Sequence, residues 1–210
     1  MQRDEPTLAE DAVETLLRAG FAQGDDHVRI LIAGLRAPAA RQRILALRGA
    51  LRQSLVGPPE WLAALEDPSR EVRRDALNLL AHAELEGSAV LEAVVARLGD
   101  EDPLVVDGAA FALGEHLVVE AVDALCAVAG AHEDARCRES AVAALGAIGD
   151  DRARPAILAA LEDKAPVRRR AIVALANFEG PDIDEALERA ASDRDWQVRA
   201  AVDQLGRGED

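Results

Sequence analysis

The chain has 210 residues, of which half are apolar but only 2% are aromatic. A core must therefore be built mainly from Ala, Leu and Val, and the length allows a well-buried one. With 39 acidic and 24 basic residues the net charge is −15, which repels the phosphate backbone of nucleic acids, so we expect no nucleic-acid partner. We find no signal-like amino-terminal segment and no apolar run near the ~18 residues of a membrane span, so we expect a cytoplasmic protein without membrane contact.

The first 56 residues predict three amphipathic helices, over Pro6–Ala19, His27–Leu35 and Pro38–Leu55, because apolar side chains recur there at three- and four-residue intervals. A short fourth helix is expected over Glu60–Leu65, after a pair of prolines that favours a helix start. We interpret residues 1–56 as divergent capping helices.

From residue 57 onward one pattern recurs at intervals of 30 to 33 residues. It consists of an apolar anchor followed by Arg, with Ala four positions after the anchor and Leu eight positions after it. The anchors are Val72, Val105, Cys137, Val167 and Val198. Self-similarity at a fixed period in this range is typical of a solenoid of stacked helical repeats.

Each repeat predicts two helices. The A helices carry the anchor and are expected over Ser69–His82, Pro103–His116, Ala135–Ile148, Pro166–Asn177 and Asp195–Leu205. The B helices lie between them, over Ser88–Leu98, Val119–Val128, Arg152–Leu161 and Ile183–Ala191. The register places Trp61, Val94 and Ile157 at one equivalent position, which predicts that Trp61 is a core residue.

The predicted fold is therefore all-α, a right-handed α-solenoid of about six helical hairpins plus a terminal helix. We expect a single domain over residues 1–210, with regular repeats over residues 57–206 and a polar tail over residues 207–210.

The Asp near each turn, the Val-Arg pair and the Ala-Leu-Gly ending resemble the short HEAT-like repeats of the phycobilin-lyase type, over roughly Glu60–Leu205. The resemblance implies that the Arg after each anchor pairs with turn acids and forms a ladder along the stack. The candidate arginines are Arg73, Arg138, Arg168 and Arg199, and the candidate acids are Asp67, Asp102, Asp134, Asp163 and either Asp193 or Asp195. Val106 replaces the Arg in the Val105 copy, which a local bend, a contact surface for another chain, sequence drift or packing would each explain.

Enzymes built on this scaffold need residues that the sequence does not supply. Deoxyhypusine hydroxylases, which resemble the chain in fold, hold two irons with His-Glu pairs just after the Val-Arg position, where this chain has pairs such as Glu139-Ser140. HEAT-type DNA glycosylases need a basic groove and aromatic side chains, which the composition disfavours. We therefore expect no catalytic residue and no cofactor.

Histidine and cysteine residues are few. His82 and His116 fall near the ends of adjacent A helices and have the residue types of a two-His, one-carboxylate metal site, but favourable interaction with a helix C-terminus is the commoner explanation. We therefore expect no metal site. Cys126 and Cys137 occupy positions where apolar residues are expected, which predicts buried thiols.

One segment departs from the acidic background. Between His27 and Pro59 there is no Asp or Glu but there are six arginines. Four of them, on the third helix, form a candidate partner-binding patch: Arg41, Arg43, Arg48 and Arg52. Guanidinium groups could dock an acidic segment or a phosphate-bearing ligand there, or could pair instead with the chain's own acids.

These observations predict a non-catalytic, monomeric scaffold that binds a partner protein or peptide through its concave face, its Arg-rich third helix, or both. The B helices are expected to line the concave face, where Ala63, Ala96 and Ala159 leave a smooth groove. Basic partners suit the acidic repeats. The alternative is an enzyme or enzyme subunit of the chromophore-lyase type.

Overall fold

The structure is a computed structural model that describes residues 6–22 and 24–206, with side chains over residues 12–22 and 24–205. These residues form helices and no strand. The α-helices are α1 (Pro6–Ala19), α2 (Asp25–Gly34), α3 (Ala40–Arg52), α4 (Pro58–Leu65), α5 (Arg70–Leu80), α6 (Ser88–Ala96), α7 (Pro103–Glu115), α8 (Val122–Ala131), α9 (Ala135–Ile148), α10 (Arg154–Ala159), α11 (Ala165–Leu175), α12 (Pro181–Ala190) and α13 (Trp196–Gly206). The all-α fold predicted from the sequence is confirmed.

Contacts within the chain divide it into two compact units, the first ending at Ala93 and the second beginning at Val94. The single domain expected over residues 1–210 stays a prediction. The polar tail at residues 207–210 lies outside the described residues.

In the first unit α3 packs against α1 and α2, and α5 packs against α3 and α4. The core consists of fully buried leucines such as Leu31, Leu47 and Leu77. Trp61 is only 4% exposed, which confirms that it is a core residue.

In the second unit the helices form two layers. The A layer contains α7, α9, α11 and α13, which pack in sequence against one another, and the B layer contains α8, α10 and α12. Most A helices start with a turn acid; the Asp102 and Asp134 carboxylates each accept a backbone N–H of the first turn, at 2.8 Å. These bonds satisfy donors that a helix start leaves unpaired.

The Ala-Leu-Gly ending of the repeat allows neighbouring A helices to approach closely. A Cβ atom placed on Gly114 would lie 2.9 Å from Cα of Ala144, and one on Gly146 would lie 2.7 Å from Cα of Ala174. The B helices contact one another far less. Because one layer is spaced more tightly, we infer that the second unit curves toward its A layer.

This curvature corrects the expected position of the groove. Ala63, Ala96 and Ala159 are exposed, as a groove lining requires, but Ala159 lies on α10 in the more widely spaced B layer, Ala96 ends α6, and Ala63 belongs to the first unit. The inner surface of the second unit is therefore the solvent-facing side of the A helices.

Candidate partner-binding surface

Ladder pairs join successive repeats of the second unit. The Arg138 guanidinium donates to both carboxylate oxygens of Asp163, at 2.6 and 2.7 Å, and Arg168 does the same to Asp193, at 2.9 and 2.7 Å. The remaining terminal nitrogen of each Arg donates to main-chain oxygens of the preceding turn. The guanidinium bonds hold the pKa values of Asp163 and Asp193 below the usual range. These arginines are structural, as the family resemblance implied.

The other ladder candidates make related contacts. Arg199 donates to the main-chain oxygen of Asp193 at 2.7 Å, and Arg73 donates to that of Asp67 at 2.9 Å. In the Val105 copy the Arg is replaced by Val106, which is fully buried. Apolar packing therefore takes the place of an ion pair there.

The Arg-rich patch of α3 is largely occupied by internal contacts. Arg43 donates to both carboxylate oxygens of Asp67, each at 2.7 Å, in the geometry of the ladder pairs. Arg48 donates through Nε to Asp75 at 3.0 Å and forms a second bond to the same carboxylate. Two of the four predicted binding arginines thus pair with the chain's own acids, the alternative that the sequence left open.

The remaining two arginines of the patch differ from each other. The Arg52 guanidinium lies 4.3 Å from the ring centroid of Phe21, a cation–π contact, and donates to the main-chain oxygen of Gly20 at 3.3 Å. Arg41 is exposed. Three of the four guanidinium groups therefore have internal contacts, and partner binding by the patch stays a prediction.

The solvent-facing side of the A layer in the second unit has a different character. We call it the A face; it is lined by Asp107, Phe111, Glu139, Ser140, Ala143, Arg169, Arg170, Val173, Trp196, Ala200 and Gln204. Three large apolar side chains stand out on it, with exposed fractions of 43% for Phe111, 46% for Val173 and 66% for Trp196. Large exposed apolar side chains on a curved surface are typical of binding sites.

The charged groups of the A face are unevenly distributed. At the α7 end the Ser140 hydroxyl donates to the Asp107 carboxylate. Toward α13, the guanidinium groups of Arg169 and Arg170 share the single Glu139 carboxylate, with N···O distances of 4.0 and 3.5 Å. The part of the A face around α11 is therefore locally positive, although the chain has a net charge of −15.

Sequence reasoning missed the A face because its residues do not recur. The anchor, Ala and Leu positions repeat since they are buried, whereas the second, third and sixth positions after each anchor vary from copy to copy. Phe111 and Val173 both occupy the sixth position. Variation at fixed positions between constant core positions was the available signal.

The two thiols differ in burial. Cys137 is fully buried, as predicted, and burial raises the pKa of its thiol to about 11. Cys126 is only half-buried. Nδ1 of His132 accepts the Asp134 backbone N–H at 3.0 Å.

Within residues 6–22 and 24–206, no group of three His, Cys, Asp or Glu side chains has the arrangement of a metal site. None of the helices described over those residues is both long and apolar enough to cross a membrane.

A HEAT-repeat family model matches residues 58–146, 107–176 and 122–206, which together span well over half of the chain. The chain belongs to the HEAT-repeat family. The resemblance to HEAT-like repeats and the predicted α-solenoid fold are thereby confirmed. Comparison with curated protein sequences found no match.

Solved structures with the same fold include natural and designed repeat proteins. The complex of CpcE and CpcF of phycocyanin lyase from Nostoc sp. PCC7120 matches with a TM-score of 0.65 at 21% identity, covering 72% of this chain and 64% of that one. An engineered protein matches with a TM-score of 0.62 at 21% identity, covering 87% and 95% of the two chains. A designed armadillo repeat protein in complex with the peptide (KR)4 matches with a TM-score of 0.56 at 16% identity, covering 100% and 96%. This HEAT-repeat chain thus spans under two thirds of the lyase chain, and at these identities the likeness concerns the fold alone.

Proposed function

We propose that this HEAT-repeat protein is a non-catalytic scaffold that binds a partner protein or peptide on the A face of its second unit. The observation that carries the proposal is the presence of Phe111, Val173 and Trp196, all substantially exposed, on the inner surface of one curved unit. Exposing such side chains to water costs free energy that a partner recovers by covering them. A designed repeat protein of the same fold holds a peptide, which agrees with this role.

The A face replaces the Arg-rich patch as the proposed contact surface. Arg43 and Arg48 are held by Asp67 and Asp75, so a partner would have to displace internal ion pairs to reach them. A partner can cover the exposed side chains of Val173 and Trp196 without breaking an ion pair of these two residues.

The experiment is a selection of peptides from a displayed random library against the immobilised full chain. Binding of the selected peptides is then measured for the native chain, for Phe111→Ser with Trp196→Ser, and for Ala159→Ser on the B layer as a matched control. The proposal predicts that the double variant loses at least tenfold in affinity and that the control binds like the native chain. Failure to select any peptide, or equal binding by all three chains, would refute it.

A subunit of a chromophore lyase is the second candidate, favoured by the structural likeness to the CpcE and CpcF complex. This role predicts that the chain changes the absorption spectrum of an added bilin and, with a partner subunit, promotes its attachment to an acceptor protein. An unchanged bilin spectrum at saturating protein would remove this candidate.

A further inference from the structure

A concave site lies on the A face between α11 and α13. The site is a depression of about 340 Å³ lined by Arg169, Arg170, Val173, Trp196, Gln197, Ala200, Ala201 and Gln204. Its apolar part is formed by Val173 and Trp196, which leave about half or more of their surfaces exposed. The volume suits one large side chain together with the backbone that carries it.

The polar part of the depression has unused hydrogen-bonding capacity. Nε of Arg170 is buried and has no hydrogen-bond partner among the described residues, although a buried donor normally has one. The terminal nitrogen of Arg170 lies 3.5 Å from the Glu139 carboxylate, and that of Arg169 lies 4.0 Å from it, both too long for a good hydrogen bond. Arg169 also donates to the Gln197 side chain at the long distance of 3.3 Å.

The neighbouring ladder residue shows what a saturated arginine looks like in this fold. Arg168 makes two bonds to Asp193 and one to a main-chain oxygen, all at 2.7 to 2.9 Å. By comparison, Arg169 and Arg170 share one carboxylate loosely, so the site has two positive charges and one negative charge. One more carboxylate would balance the charge of this site.

We propose that this depression recognises an acidic partner segment in which a carboxylate side chain adjoins a large apolar one. The carboxylate is bound by the terminal nitrogens of Arg169 and Arg170, whose side chains are 40% and 42% exposed, and the apolar side chain packs on Trp196 and Val173. This inference rests on the proposed function and specifies its partner. A single excess positive charge, in a chain of net charge −15, matches one carboxylate better than a dianionic phosphate.

The inference differs from what overall charge suggests. The acidic repeats led us to expect basic partners, but the two arginines next to Trp196 form a local exception. A basic segment placed there would meet two guanidinium groups with only Glu139 to offset them.

The test uses the displayed random peptide library on the full chain and synthesis of the enriched peptides. We expect enrichment of Asp or Glu beside Phe, Leu or Trp. Binding of these peptides should weaken at least tenfold on changing Arg169→Gln with Arg170→Gln, and on changing the peptide's Glu to Gln. Arg136→Gln on α9, an exposed arginine outside the depression, is the matched control and should leave affinity unchanged.

The outcomes separate this inference from the proposed function. Peptides that bind in a Trp196-dependent manner but lack an acid, or tolerate the arginine changes, would overturn the inference and leave the scaffold role standing. The inference would also be overturned if a phosphoserine peptide bound more tightly than the same peptide with Glu at that position. Tighter binding of the peptide with Lys at that position would overturn it as well. Selection of no peptide at all would refute both.

Discussion

The ladder pair between Arg168 and Asp193 offers a direct test of what holds the repeats together. The side chains are only 6% and 15% exposed, and Arg168→Ala removes three hydrogen bonds from a charged donor. Asp193 keeps one backbone partner, the N–H of Asp195 at 2.7 Å, but loses its counterion. Breaking such a pair should lower the free energy of unfolding by about 2–4 kcal/mol.

Thermal and urea unfolding, followed by far-UV circular dichroism at pH 7, measure this loss, which corresponds to a fall of about 5–15 °C in melting temperature. Arg169→Ala, at the next position of the same helix, is the control. Because the Arg169 side chain is 40% exposed and its nearest carboxylate is 4.0 Å away, it should change stability by less than about 0.5 kcal/mol. Combining Arg168→Met with Asp193→Leu should restore much of the loss, since no charge is then left buried. If Arg168→Ala unfolds like Arg169→Ala, the ladder is not a stabilising element.

Three further predictions concern packing, pH and thiol reactivity. Gly146→Val should lower the free energy of unfolding in urea by at least about 2 kcal/mol, because the new Cβ would lie 2.7 Å from Cα of Ala174. Gly130→Ala is the control and should not destabilise the chain, because a Cβ on Gly130 would have no neighbouring atom within 4 Å. Asp193→Asn should lower the free energy of unfolding at pH 7, and the loss should become smaller below about pH 4. The reason is that the pKa of Asp193 is lowered in the folded state. The stability that the carboxylate contributes is therefore complete above its unfolded pKa and is lost as pH falls through its folded pKa. A pH-independent difference between the two proteins would contradict that assignment. Iodoacetamide at pH 7.5 should leave Cys137 unmodified until the chain is unfolded, because the thiol is fully buried and its pKa is raised to about 11. Mass spectrometry measures the labelling. Rapid labelling of Cys137 in the native chain would show that the thiol is accessible.

The repeat fold could be predicted from the sequence because its determinants are buried and therefore recur. An anchor such as Val167 and its following Ala171 are fully buried, so few residue types fit. The same logic missed α3 as a repeat helix, since Gln42 occupies its anchor position. Arg43 nevertheless stands 30 residues before Arg73 and makes the ladder contact, so the Arg spacing was the usable signal.

Helix ends were predicted less well than helices. The B helices begin or end in short 3-10 turns. Asp151–Ala153 connects α9 to the B helix α10, and Arg97–Gly99 connects α6 to the A helix α7. These irregularities depend on local packing of the turn and leave little trace in apolar periodicity.

The site formed by Arg169, Arg170 and Trp196 could not be predicted from the net charge of the repeats. Arg169 and Arg170 lie in a strongly acidic part of the sequence, but helical geometry projects both onto the same surface as Trp196, while nearby acids serve as caps or ladder partners. The choice of inner layer was likewise missed, because it depends on how closely Gly114 and Gly146 let the A helices approach.

A partner that covers the A face must change the surroundings of Trp196. The chain has two tryptophans, Trp61 at 4% exposure in the first unit and Trp196 at 66% in the second, so their indole N–H resonances form an internal pair of reporter and control. We would titrate the ¹⁵N-labelled full chain with a selected peptide. The account predicts that the Trp196 indole resonance shifts to saturation with the peptide's dissociation constant while that of Trp61 stays in place. Saturable binding with the Trp196 resonance unmoved would contradict it.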